Sequence, residues 1–391
     1  MNTELLKELL PTVKTPSYIF DTDEFTKRAE LVKESFGSNV GICFSIKANS
    51  FLLKRLPNVF DKIEVCSPGE LTICEKTGVD TSKIIFSGVN KTADDVERAM
   101  DDNVGTFTAE SYLHAELINN SALKREITVP VLVRVTGGSQ FGMDEKDVID
   151  LINRREEYKG IEFVGLHYFT GTQKRKPSVI EKELDYISDF ADRLKKETGF
   201  EVSRIEYGTG LAVDYFADNA DELEKERLQA VSEKIREVAE RFELTVEMGR
   251  FFAAPCGYYL TKVMDVKTNC EINYAILDGG LNHLKYDGQI QGMQIPKIVH
   301  IKDNKNTGVG TEKWTLCGSL CTTADILAKN AEFDSLKIGD TLVFCRTGAY
   351  SAMEGMAVFL SRELPVISLY SKAEGLEILR DLIYTDKFNT P

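Results

Sequence analysis

The chain has 391 residues, 42% of them hydrophobic, and carries a formal net charge of −14 at pH 7. This length suits two domains, or one large barrel with an addition. The acidic balance argues against nucleic acid or an anionic membrane as a partner. No apolar run approaches the roughly 18 residues of a membrane span, and the acidic N-terminal segment MNTELLKELLPTVKTP lacks the apolar core of a signal peptide. Eight cysteines scattered along the chain indicate reduced thiols in a cytoplasmic protein.

The first two thirds of the chain alternate between two kinds of segment. After a predicted helical lead-in over residues 1–15, a short apolar segment followed by an amphipathic one recurs about eight times between residues 17 and 250. Strands that alternate with helices pair in parallel. We therefore predict an α/β fold with a (β/α)8 barrel over residues 16–255, and a doubly wound sheet is the structural alternative.

The pattern changes after about residue 255. Strand-like runs separated by turns follow one another, with one helix expected near TTADILAKN, residues 322–330. This pattern predicts a mostly antiparallel β domain over residues 256–391, which residues 1–15 join.

Lys47 stands at the end of the apolar run GICFSIK and is followed by a polar turn. Lysine is seldom buried without a partner. Its amine forms a Schiff base readily once burial and neighbours lower its pKa, although a lysine at a strand tip can also simply reach solvent. Other polar or glycine residues also lie near the carboxyl ends of predicted strands, where a barrel places its active site. They are Glu64, Arg134, His167, Gly208 and Glu247.

Three further motifs allow a chemical or a structural interpretation. The sequence GTG at 208–210 follows a strand, so its backbone amides could cradle a phosphate, or it could be an ordinary tight turn. Glu247 and Arg250 could hold a cationic ring nitrogen and a phosphate, or form a surface ion pair. The flat ring of His167 could stack on an aromatic ligand, or be a neutral core histidine.

Taken together, these motifs resemble the fold-type III pyridoxal-phosphate decarboxylases, the family of diaminopimelate, ornithine and arginine decarboxylases. The resemblance covers nearly the whole chain and rests on SIKANS, IEVCSPGEL, FSGVNKTADDVERAM, GLHYFTGTQ, IEYGTGL, EMGR, LDGG, LCGSLCTTADIL and FCRTGAY. It implies an alanine-racemase-like barrel with a β-rich C-terminal domain, pyridoxal 5′-phosphate as cofactor, and a carboxy-lyase of biosynthetic amino-acid metabolism.

The resemblance also implies a role for each matching residue. Lys47 holds the cofactor as a Schiff base, and Glu247 keeps the pyridine nitrogen protonated so that the ring withdraws electrons. His167 stacks on the ring. Cys321 returns a proton to the substrate Cα from a loop that reaches the partner subunit, so a head-to-tail homodimer with shared sites is implied. The remaining implied cofactor contacts are Glu64, Arg134, Thr170, Gly208, Thr209, Gly210, Gly249, Arg250 and Tyr350.

The sequence departs from the family pattern where the substrate is bound. Thr322 follows Cys321 where the family has an acidic residue, and the segment GGLNHLKYDGQ carries Lys285 and Tyr286 but no arginine. The run KRK at 174–176 is either a solvated loop or faces an anionic substrate extension. These departures favour a substrate in which the amino acid is conjugated, for example as a citryl amide or a carrier-bound aminoacyl chain.

Two other functions are compatible with a barrel of this kind. A racemase on the same barrel would place an arginine at the pyridine nitrogen, so Glu247 argues against it. A non-catalytic binding protein of this fold would be expected to have lost its cofactor residues, which are present here. Cys317 and Cys321 have no histidine at zinc spacing, so no metal site is predicted.

Overall fold

The computed structural model of the protein describes residues 1–303 and 306–391. It divides into two units. The sheet unit consists of Met1–Thr26, Asp214–Asp221 and Ala253–Pro391, and the barrel unit of Lys27–Val213 and Glu222–Phe252.

Strands and helices alternate in the barrel unit, whereas the C-terminal part of the chain consists mostly of strands. The strands are β1 (Ser17–Asp21), β2 (Gly41–Ser45), β3 (Lys62–Val65), β4 (Ile84–Phe86), β5 (Thr106–Ala109), β6 (Val129–Val135), β7 (Ile161–Tyr168), β8 (Arg204–Gly208), β9 (Glu243–Met248), β10 (Gly257–Asn269), β11 (Ile272–Leu277), β12 (Ile298–Ile301), β13 (Thr311–Cys317), β14 (Ile326–Asp334), β15 (Thr341–Cys345), β16 (Val366–Ser371) and β17 (Gly375–Arg380). The helices are α1 (Thr3–Leu9), α2 (Thr22–Phe36), α3 (Pro68–Thr77), α4 (Ala93–Asp101), α5 (Tyr112–Lys124), α6 (Glu145–Asn153), α7 (Pro177–Thr198), α8 (Ala220–Ala239), α9 (Arg250–Ala253) and α10 (Asp386–Asn389).

Across the described part of the barrel unit, the strands β2 to β9 pair in chain order and close into a parallel barrel. Their residues are mostly buried, since one face packs inside the barrel and the other against the helices. Local signals start the helices: the Ser67 side chain caps α3 and Pro68 occupies its first turn, while Thr92 and Asp95 form a capping box on α4. The predicted (β/α)8 barrel is confirmed, and the doubly wound alternative is excluded.

The sheet unit is built on one mixed sheet of nine strands within the described residues. Its main path runs β14-β13-β11-β10-β1-β16-β17, and β15 pairs with both β10 and β12. Among the described strands of this sheet, only β1 with β16 and β11 with β13 pair in parallel. A cluster that includes Ile19, Leu260, Val343 and Val366 forms its core. The mostly antiparallel β domain is therefore confirmed.

Two local predictions differ from the structure. β1 pairs with β10 and β16 instead of entering the barrel, so residues 16–26 lie in the sheet unit, as do 214–221 and 253–255. The eight strands after β1 already close the barrel, which leaves no free edge for it. The helix predicted near residues 322–330 is also absent, because Ile326 begins strand β14, whose backbone pairs with β13.

Among the described residues, no helix has both the length and the apolar character that crossing a membrane requires.

Candidate active site

Lys47 lies just beyond the carboxyl end of β2, in a 3-10 turn over Ile46–Ala48. Its amine donates to Glu64 Oε2 and lies 3.5 Å from both Cys66 Sγ and Glu247 Oε1. The side chain is 37% exposed, whereas the two carboxylates are almost fully buried. Lys47 is thus a paired amine at the barrel mouth that a small molecule can reach, and not merely a lysine extended into solvent.

Gly249, directly after β9, packs closely against this turn. A Cβ at Gly249 would lie 2.8 Å from the Ala48 side chain and 2.9 Å from the carbonyl oxygen of Ser45. Only glycine therefore lets the chain leaving β9 approach the Lys47 turn this closely.

Strand register places a row of polar residues inside the barrel. Arg134, His167, Glu206 and Thr245 are consecutive register partners on β6, β7, β8 and β9. Side chains of register partners point to the same side of a sheet, so these four share the barrel interior. Arg134 is buried there and bound to Glu110 at 2.9 Å.

Glu247 is a buried carboxyl group with a serine hydroxyl, a lysine amine and a histidine ring around it. It accepts a hydrogen bond of 2.9 Å from Ser45 Oγ. His167 Nε2 lies 3.3 Å from Oε2, although not at hydrogen-bonding angles. Burial by itself raises the pKa of the Glu247 carboxyl, but Lys47 and His167 outweigh it and hold that pKa well below its ordinary value. Glu247 is therefore an ionised, buried carboxylate.

The glycine loop after β8 is shaped by contacts that exclude larger side chains. A Cβ at Gly208 would lie 2.4 Å from the ring of Phe169, and one at Gly210 would lie 2.0 Å from the carbonyl oxygen of Gly171. Gly210 also has a φ of +60°, which favours glycine. Thr209 between them is fully buried. Such a close turn is suited to an anion bound by backbone amides.

Arg250 and Thr172 meet in the barrel unit, with Arg250 Nε donating to Thr172 Oγ1 at 3.4 Å. Thr170 is engaged elsewhere, because its hydroxyl donates to Glu183. The same carboxylate accepts from Lys174 Nζ at 2.6 Å. Within the KRK run, Lys174 is thus a buried, paired residue, while its two successors are exposed.

Cys321 and Tyr350 belong to the sheet unit. Cys321 is exposed in the turn between β13 and β14. Tyr350 follows β15 with a φ of +64°. Their roles in catalysis and phosphate binding stay predictions, as does ring stacking by His167.

Three residues of the barrel interior or mouth were not anticipated. Cys66 donates to Glu64 Oε1 at 3.0 Å. Its position next to Ser67 in the IEVCSPGEL motif could have identified it from the sequence. Thr172 directly follows a glycine in GLHYFTGTQ, which is a typical setting for a side chain near an anion. Glu206 is an acidic residue in the apolar strand IEYG, and such a residue calls for a chemical explanation.

Residues 22–254 match the family model described as pyridoxal-dependent decarboxylase, pyridoxal binding domain. The chain belongs to this family. Pyridoxal 5′-phosphate is accordingly its cofactor and decarboxylation its reaction class, as the sequence motifs predicted.

Characterised relatives extend over almost the whole chain. The L-glutamyl-[BtrI acyl-carrier protein] decarboxylase of Niallia circulans is 27% identical, with 94% of this chain and 91% of the relative covered. The diaminopimelate decarboxylase of Aquifex aeolicus is 24% identical, with 88% and 84% covered. The 2-[(L-alanin-3-ylcarbamoyl)methyl]-2-hydroxybutanedioate decarboxylase of Staphylococcus aureus is 26% identical, with 89% and 92% covered.

Solved structures share the fold. Diaminopimelate decarboxylase from Helicobacter pylori, complexed with L-lysine, has a TM-score of 0.85 at 22% identity and covers 98% of both chains. The Methanocaldococcus jannaschii enzyme has a TM-score of 0.84 at 24% identity, with 96% of this chain and 91% of that chain covered.

The residues of the barrel mouth fit pyridoxal phosphate. Lys47 offers an amine, Glu247 an ionised carboxylate, and the glycine loop with Arg250 a setting for a phosphate. Both ring nitrogens of His167 are buried and have no hydrogen-bond partner among the described residues, which leaves this ring available to a ligand. A donor set of one amine, one carboxylate and one phosphate cradle matches the three functional ends of the cofactor.

Proposed function

We propose that this protein removes the α-carboxyl group of an amino acid carried within a larger conjugate, with Lys47 binding the cofactor. The observation that carries the proposal is the buried Glu247 carboxyl group, whose Oε1 lies 3.5 Å from the Lys47 amine inside the barrel. A carboxylate in this position holds a proton on a pyridine nitrogen, whereas the arginine expected of a racemase would not.

Each residue has a defined task in this proposal. When bound, pyridoxal phosphate supplies the electron-withdrawing ring that accepts the electron pair released as the carboxylate departs. Glu247 keeps the ring nitrogen protonated, and His167 packs on the ring face. The glycine loop, Arg250 and Thr172 bind the phosphate. Cys321 delivers a proton to the substrate Cα after carbon dioxide has left.

The substrate class is inferred from three residues of the sheet unit. None of them offers a charge that could bind the distal group of a free diamino acid. Thr322 has no charge to bind a distal ammonium group. Lys285 is paired with Glu354 at 2.8 Å, and the buried Tyr286 donates to the carbonyl oxygen of Cys345 at 2.7 Å. Two relatives are named for conjugated substrates. We therefore expect a conjugated amino acid to be preferred over free diaminopimelate, ornithine or lysine.

Carbon dioxide release tests the proposal directly. The holoenzyme is incubated in deuterated water with free and conjugated amino acids of both configurations. We expect carbon dioxide from a conjugate and deuterium at Cα of the product. Deuterium exchange without carbon dioxide would support the racemase instead, and release from free diaminopimelate alone would contradict the substrate class.

Cofactor attachment is tested separately. Borohydride reduction followed by peptide mapping should find the pyridoxyl group on Lys47. A Lys47→Arg variant should lose both the label and the activity, whereas Lys159→Arg, at an exposed surface lysine, should keep both. A label elsewhere, or none, would sink the enzymatic proposal.

A homodimer is also proposed, on the evidence of an exposed apolar patch in the sheet unit. Two neighbouring segments form this patch, joined by a hydrogen bond of 2.8 Å from Asn389 Nδ2 to the carbonyl oxygen of Val358. The exposed apolar residues are Val358, Phe359, Leu360, Tyr384 and Phe388. Clustered apolar side chains of this kind mark protein interfaces, and a second copy of the chain is the proposed occupant.

A further inference from the structure

Glu206 is a buried acid that the proposed chemistry leaves without a task. It lies on β8, two residue pairs below the Gly208–Glu247 pair, and is only 2% exposed. Neither carboxyl oxygen has a hydrogen-bond partner among the described residues. An isolated carboxylate in such a place would be strongly destabilised, because burial removes its hydration without replacing it.

The strands around Glu206 bring more negative than positive charge towards it. The titratable groups that face it are Cys43 on β2, Lys62 and Glu64 on β3, His167 on β7 and Glu247 on β9. The Cys43 thiol does not reach hydrogen-bond geometry. The nearby amine of Lys47 is already bound by Glu64 and Glu247.

Two neighbouring buried acids resist ionising together, so the negative charge goes to the one that cations and hydrogen-bond donors stabilise more strongly. Glu247 has Ser45, Lys47 and His167 around it, so it takes the negative charge. Burial, followed by the charges of Glu247 and Glu64, raises the pKa of Glu206 well above its ordinary value. The proton therefore stays on Glu206.

We propose that Glu206 is a positioning residue that remains a neutral carboxylic acid, leaving Glu247 as the one carboxylate that serves the cofactor ring. The O–H of Glu206 is then a donor in an interior that holds unsatisfied acceptors, among them Glu247 Oε2. This inference rests on the proposed role of Glu247, but the protonation of Glu206 does not require a substrate or turnover.

Protonation can be measured by infrared spectroscopy of the holoenzyme at pH 8. The wild-type protein should show the carbonyl stretch of a protonated carboxylic acid, and Glu206→Gln should lack it. Glu162→Gln is the matched control, because Glu162 is exposed on the neighbouring strand β7, and it should keep the band. A wild-type spectrum without the band would overturn the proposal.

Stability against pH gives a second test with a definite sign. A carboxyl whose pKa is raised by folding must take up a proton to fold at any pH above its unfolded value, so its contribution to stability falls as pH rises. Glu206→Gln removes this proton uptake. The holoenzyme variant should therefore melt above wild type at pH 8, with a smaller difference at pH 6. A difference that does not grow with pH would contradict a neutral Glu206.

The effect of Glu206 on Glu247 can be measured through the visible absorbance of the bound cofactor. When alkaline pH ionises Glu206, a second negative charge appears beside Glu247 and should alter the visible absorbance of the wild-type holoenzyme. Glu206→Gln should keep its neutral-pH spectrum through the same range. If the infrared band disappears without a change in absorbance, Glu206 does not act through Glu247. Loss of the pyridoxyl label at Lys47 would instead refute the proposed function.

Discussion

At the scale of single residues, the active site distinguishes between side chains that look equivalent in sequence. Thr170 and Thr172 are separated only by Gly171, yet one is bound to Glu183 and the other lies beside Arg250. A hydroxyl next to an arginine is well placed for a phosphate, whereas one already bound to a carboxylate is not.

We accordingly expect Thr172→Val to weaken pyridoxal phosphate binding about tenfold, the effect of losing one hydrogen bond to a charged group. Equilibrium titration of the cofactor-free protein by absorbance would measure this. Thr170→Val is the matched control and should change the dissociation constant less. The reverse order would restore Thr170 as the phosphate contact predicted from the sequence.

At the scale of elements, the loop after β8 shows how packing turns a weak motif into a specific shape. A GTG sequence is compatible with many turns. Here Gly210 combines a φ of +60° with a backbone contact that leaves no room for a Cβ. The loop therefore has a close-packed shape that a side chain at this position would disrupt.

Replacing Gly210 with alanine should lower both the melting temperature and the affinity for pyridoxal phosphate. Gly199→Ala is a strict comparison, because Gly199 has a φ of +70° but nothing within 4 Å of the added Cβ. That control should cost only about 1 kcal/mol of stability, from the left-handed backbone, and leave cofactor affinity unchanged. Equal effects on affinity would show that the contact with Gly171 does not shape the phosphate site.

At the scale of the whole molecule, the proposed active site uses residues from two copies of the chain. Lys47 lies in the barrel unit and Cys321 in the sheet unit, and a second copy of the chain is the proposed source of the cysteine. The exposed patch around Phe359 and Leu360 is the surface proposed for this assembly.

Mixing two inactive variants tests the shared site. Lys47→Ala and Cys321→Ala should each lose activity, and a mixture allowed to exchange subunits should regain part of it. Leu360→Glu should convert the dimer to a monomer in sedimentation analysis, and the same charge at the exposed Ile272 should not. A mixture that stays inactive while subunit exchange is demonstrated would refute sharing.

The amino-acid sequence was sufficient to predict the barrel, the β-rich second unit, the family and the strand-end positions of Lys47 and Glu247. These features follow from local periodicity and short motifs, which depend on residues close together in the chain. Contacts between distant segments set the other features: β1 joins the sheet, Ile326 begins a strand, Thr172 meets Arg250, and Glu206 has no hydrogen-bond partner among the described residues. Each of these depends on register and contact between segments far apart in sequence, where burial and the available partners set the outcome and local pattern carries no information.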